Sequence, residues 1–243
     1  MKNVCGLILS LLLITACDSG DIVENDVIDE SDGRVLKVKM AFSNTAKWPD
    51  ISTYRVCVCG YTETGLTPLT YKDISKPSEG AARTITLSRV ASSVTRVTVS
   101  ITSLSHRLIY NLYSIPIAEG KSGEFDAGSI HLASLADYVQ TGVFDAQCIG
   151  CHGEGHRSAG LDLRKAYSHD MLVGQTAVTD NSRIRVVAGN ASQSYLLNIL
   201  EDETLPANAR EGNINHPKVL SLSNDMPLLI REWINVGAES PEE

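Results

Sequence analysis

Leu36, Val38, Met40 and Phe42 alternate with Lys37, Lys39 and Ala41. An apolar period of two predicts a half-buried strand, because successive side chains of an extended chain point to opposite faces. Runs of the same kind, rich in Val, Thr, Ser and Tyr, predict further strands at 54–59, 84–88, 94–101 and 107–116. Lys76-Pro77-Ser78-Glu79-Gly80 and Glu119-Gly120-Lys121-Ser122-Gly123 supply turns between them.

The period changes near residue 134. Leu135, Val139 and Val143 fall at four-residue steps with Phe144 beside them, predicting a helix that runs into Cys148. Further helices are predicted at 164–173 and at 194–201, the latter capped by Ser192. A last helix is predicted at 225–236, where Leu229 with Trp233 and Ile230 with Ile234 form one stripe. Pro227 is tolerable in its first turn and Gly237 follows as its C-cap. The expected fold is an antiparallel β-sandwich of immunoglobulin-like topology over 34–130, followed by an all-α unit over 131–243.

Ahead of both stands an apolar run from Leu7 to Ile14, preceded by Lys2 and followed by Ala16-Cys17. It falls far short of the roughly 20 residues a spanning helix needs. Its flanks predict a secretory signal over 1–16. Ile14-Thr15-Ala16-Cys17 resembles the lipobox of bacterial lipoproteins, which implies that Cys17 carries the lipid as the first residue of the mature chain. From Asp18 to Gly33 there are seven acidic residues, no basic ones and no apolar period. That composition predicts a solvated tether over 17–33.

The formal net charge of −8 becomes −9 once Lys2 leaves, and the tether alone supplies −7 of it. The body beyond residue 33 is therefore nearly neutral. It offers no basic footprint for nucleic acid and no strong field for electrostatic steering.

The chemistry of the chain lies in Cys148-Ile149-Gly150-Cys151-His152. C-x-x-C-H is the attachment signature of c-type haem. Cys148 and Cys151 are spaced to reach the two vinyl groups on one porphyrin edge, and His152 can turn onto the iron as proximal ligand. A zinc knuckle would need further ligands, usually a second C-x-x-C, and the sequence has none. A thioredoxin-like pair would open a helix within a βαβ pattern, which is not visible. Haem c, one covalent group per chain, is the expected cofactor. Of the six cysteines, Cys5 leaves with the signal, and only Cys57 and Cys59 remain without an assigned role. Two apart on a strand, they share one face, as two small core side chains, a strained vicinal disulfide or metal ligands.

With Phe-Asp-Ala-Gln before the motif, Ala159-Gly160-Leu161-Asp162-Leu163 after it and Trp233-Ile234-Asn235-Val236-Gly237-Ala238 near the end, residues 134–239 resemble a single-haem class I cytochrome c domain. The likeness is to those of exported bacterial lipoproteins. It implies that the first and last helices cross, with Phe144 and Trp233 shielding the haem. It also implies a distal iron ligand on the loop before the last helix. The family's usual ligand is a Met, often followed by Pro, and Met226-Pro227 is present but sits at the start of that helix. His216-Pro217 stands nearer the family's position, so His216 is the favoured distal ligand and Met226 the alternative. Two histidines would lower the potential relative to a His/Met pair. His156, His169 and Met171 are weaker candidates, and Arg183 and Arg185 are candidates to pair a propionate.

No nucleophile–base pair can be placed by sequence, so the expected activity is single-electron transfer rather than catalysis. Redox proteins of the bacterial cell envelope are the expected partners, with the lipid bilayer engaged through Cys17. Two other readings stay open: an adhesion or assembly lipoprotein with an accessory haem, and a haem sensor or peroxidase with an open sixth position.

Overall fold

The computed structural model describes residues 33–202, 204, 215–220 and 226–242. The signal segment, Cys17 and all of the tether but Gly33 lie outside the described residues. None of the helices described is long and apolar enough to cross a membrane.

Two sheets pack face to face. One holds β4 (Arg83–Leu87), β1 (Leu36–Ser43) and β7 (Gly123–His131), in that order. The other runs β3 (Thr70–Asp73), β2 (Tyr54–Tyr61), β5 (Arg96–Ser103) and β6 (Leu108–Pro116). Leu36, Val38, Met40 and Phe42 of β1 meet Val56, Val58, Val97 and Val99 of the facing sheet, the apolar half of each alternation turning inward. Arg34 is 2 % exposed and spends its guanidinium on backbone carbonyls: Nε donates to Lys121, Nη1 to Ala91, Ser92 and Val94, and Nη2 to Ala118. A charge that deep is tolerable only because its donors are satisfied.

The other face of the four-stranded sheet is covered too. Cys57, Cys59 and Tyr61 on β2 and Thr98, Ser100 and Thr102 on β5 are all buried there, with Leu66 packed against the cysteines and Tyr61. This explains why β2 reads as a nearly continuous buried run rather than as an alternation.

The expected fold class is overturned in two respects. First, strand exceeds helix, at about 31 % against 24 %, and the carboxy-terminal part is not all-α. It contains a hairpin of β8 (His152–Gly153) and β9 (His156–Arg157), isolated bridges from Val173 to Val186 and from Thr176 to Ile184, and short helices. The physical reason lies in the residues after His152. Gly155 and Gly160 have φ of 81° and 65°, and Ala159, between the two, has φ of 53°. Left-handed backbone ends any helix at once. The predicted helix at 164–173 is reduced to α2 (Ser168–Leu172), with left-handed Gly174, φ 71°, two residues past its end. Second, the sheets are not purely antiparallel, because β1 pairs with β7 in parallel and with β4 antiparallel.

The remaining helices follow the apolar stripes. α1 (Leu135–Val139) starts where Ser134 Oγ accepts the Asp137 N–H, and continues as a π-helix over Gln140–Cys148. α3 (Tyr195–Glu201) and α5 (Met226–Asn235) bury Leu197, Leu200, Leu229, Ile230, Trp233 and Ile234. Ser192 does not cap α3, whose cap position is Ser194. Between α3 and α5 lies α4 (His216–Val219), one helical turn. Pro217 occupies the first turn of α4, where its missing N–H costs nothing. One apolar core joins these helices to Tyr54, Ile101 and Ile109 of the four-stranded sheet. Tyr54 Oη donates to Glu232 Oε1 at 2.8 Å across that junction, which Lys47 and Glu242 also bridge.

Candidate haem-binding cleft

The π-helix leads into the Cys148-to-His152 motif. Its wider turn is closed by the Ile149 N–H on the Phe144 carbonyl at 3.0 Å, and Cys151 N–H then returns to the Cys148 carbonyl at 3.1 Å. The chain reverses tightly and brings both thiols to one side. Gln140, fully buried, braces the start of the π-helix by donating to Asp145 and to the Leu163 carbonyl while accepting from Ser168 Oγ.

His152 opens the β8–β9 hairpin. Its carbonyl accepts the Leu163 N–H at 2.6 Å, and its Nδ1 lies 2.9 Å from the Ser158 carbonyl. A carbonyl can only accept, so Nδ1 carries the proton and the ring lone pair falls on Nε2, the nitrogen a metal would take. Gly153 is required next to it, since a Cβ there would come 2.5 Å from the Ile149 carbonyl oxygen.

An open cleft of about 1030 Å³, solvent mouth included, is lined by Cys148, Cys151, His152 and His216. Leu161, Leu163, Leu172, Leu196 and Leu200 supply apolar walls. The His152 and His216 rings are nearly parallel, 13° apart, with centres separated by 6.2 Å. Two metal–imidazole bonds of about 2.0–2.1 Å, each continued by about 1.1 Å from nitrogen to ring centre, span about 6.2 Å. The spacing therefore fits one metal ion between the imidazoles. Burial, with Cys151 close by, pushes the Cys148 thiol up to about 12.

Phe144 and Trp233 meet edge to face, 6.2 Å apart at 84°, and Trp233 Nε1 donates to the Glu239 carbonyl at 2.8 Å. Met226, the alternative ligand, begins α5 and packs against the apolar core instead of lining the cleft. Of the two arginines, Arg185 lines the cleft and donates to the Met171 and Ala159 carbonyls, while Arg183 stacks on Tyr195 and donates to Asn198. Burial lowers the Arg185 guanidinium below its ordinary value. His156 is exposed on β9, and His169 faces Asp170.

The Ser158 carbonyl and Leu220 belong to the same site, and the sequence carries no signal for either. A backbone acceptor is fixed by the path of the hairpin, not by residue type. No family model, curated protein or solved structure matches this chain.

Proposed function

We propose that this chain is a c-type cytochrome: a lipid-anchored, single-electron carrier of the bacterial cell envelope, holding one covalent haem. The observation that carries this reading is the pairing of His152 and His216, ring centres 6.2 Å apart, in a cleft that also presents Cys148 and Cys151. A dithiol redox pair has no use for the two imidazoles; against a Cys2His2 zinc site, which the same four side chains could also form, haem is favoured by the contiguous C-x-x-C-H order and the export signal ahead of it.

Bound there, haem supplies an iron that accepts and returns one electron. Cys148 and Cys151 would hold the group covalently, and His152 and His216 would ligate its iron. The Ser158 carbonyl fixes the His152 tautomer and makes its Nε2 a stronger donor, which favours the oxidised iron. The leucine walls exclude water and so limit solvent rearrangement when charge changes. Phe144 and Trp233 keep the helices behind the motif closed. Arg185, which lines the cleft, is the candidate to pair a propionate. Cys17 anchors the chain to the bilayer, on the periplasmic face or the cell surface, and residues 18–33 give the body reach toward redox partner proteins.

The test is mass spectrometry of the exported protein under denaturing conditions with a reversible redox titration. One haem should remain covalently attached, be lost in Cys148→Ser with Cys151→Ser, and titrate as a single one-electron couple. A chain that matures without haem would overturn the proposal.

A further inference from the structure

The outer face of the four-stranded sheet holds a second set of metal-ligating side chains, apart from the cleft. Cys57 on β2 stands directly opposite Asp73 on β3. The turn from β5 to β6 brings His106 to the same place. Cys57 Sγ donates to Asp73 Oδ1 at 3.2 Å, and His106 Nε2 lies 2.9 Å from the same oxygen. All three donor atoms fall within 4.8 Å of one another. A tetrahedral ion with bonds of about 2.0–2.3 Å holds its ligand atoms roughly 3.3–3.7 Å apart. The trio is already near that spacing, with protons where an ion would sit.

The surroundings hold the three groups in place. His106 has a left-handed backbone, φ 60°, costly for a side-chain-bearing residue and of the kind that collects at functional positions. Its ring stacks on Tyr71 at 3.7 Å, and its backbone N–H donates to the Ser103 carbonyl at 3.0 Å. Arg55 Nε lies 3.7 Å from the other oxygen of Asp73, leaving Oδ1 turned to the cysteine and histidine. Cys57 is fully buried, His106 half-buried and Asp73 exposed, so the site opens to water on one side only.

We propose that Cys57 Sγ, Asp73 Oδ1 and His106 Nε2 bind one divalent transition-metal ion of the zinc class, with water as fourth ligand. The mixed sulfur, nitrogen and oxygen set suits a borderline ion and not magnesium or calcium, which prefer oxygen alone. Thiolate and carboxylate together balance the ion's charge. Cys57 Sγ donates its proton to Asp73 Oδ1 in the free site, and coordination would release that proton. The ion would tie β2, β3 and the β5–β6 turn together, on residues that no haem reading requires.

The test equilibrates the full haem-bearing protein with Zn(II), removes unbound metal, and combines metal analysis with zinc-edge X-ray absorption. The expected result is one zinc per chain with one sulfur ligand at about 2.3 Å. His106→Gln and Cys57→Ser should each weaken zinc binding tenfold or more, while Cys59→Ser and the Cys148→Ser, Cys151→Ser double variant retain it. No retained zinc, zinc without a sulfur ligand, an oxidised Cys57–Cys59 pair or undiminished binding in His106→Gln would overturn the proposal. If Cys57→Ser does not fold, His106→Gln on the open turn decides.

Discussion

The two halves of the molecule bury apolar side chains in different ways. Between the sheets, Leu36, Val38, Met40, Phe42, Val56, Val58, Val97 and Val99 close on one another and none is more than 2 % exposed. Around the cleft, Leu161, Leu196, Ile199 and Leu220 are only partly buried, because they face an opening rather than a partner. A core that saturates itself is stable by its own contacts. A set of apolar walls around an open space draws stability from whatever fills it, and its helices are too short to stand alone.

That contrast predicts its largest effect in a chain matured without haem. In the Cys148→Ser, Cys151→Ser variant, hydrogen exchange should lose protection along α3, whose Leu196, Ile199 and Leu200 line the cleft, while β1 and β5 keep theirs. Equal loss in both halves would erase the distinction. Next in size, Arg34→Met strips several buried carbonyls of their donor and should destabilise the sheets by about 2–4 kcal/mol in chemical denaturation. The same variant should leave the haem spectrum unchanged.

The smallest effect is a pH dependence on the cleft side. The Arg164 guanidinium hydrogen-bonded to Asp162, with Arg157 close by, holds that carboxyl down at about 2. Its unfolded value is about 3.9, so the stability it adds is fully present above that pH and is lost as pH falls toward 2. The gap in urea midpoint between the parent and Asp162→Asn should be open at pH 6 and close near pH 2. A gap that does not change with pH would assign the effect to packing instead of charge.

What could be read from the sequence was whatever is local. The alternation in β1 and the stripes of α3 and α5 announce themselves, because one face of each is wet and the other dry. β7 was missed: its residues alternate only weakly, and its partner is β1, in parallel, far away along the chain. The all-α expectation failed where Gly155, Ala159 and Gly160 take left-handed backbone, a conformational fact that the helical stripes on either side conceal. In the candidate site, Cys148, Cys151 and His152 were legible as a motif, and His216 by its place in the chain. The Ser158 carbonyl was not, being backbone. Nor was the trio of Cys57, Asp73 and His106, because three separate strands and turns bring it together.

The central claim is that His152 and His216 face one another across a single iron, and the spectrum of the ferric protein with His216→Ala alongside tests it most directly. The account predicts a six-coordinate, low-spin parent without a methionine–iron charge-transfer band, and a variant that turns high-spin and binds carbon monoxide when reduced. A methionine band in the parent that vanishes in Met226→Ala, with His216→Ala unchanged, would contradict it.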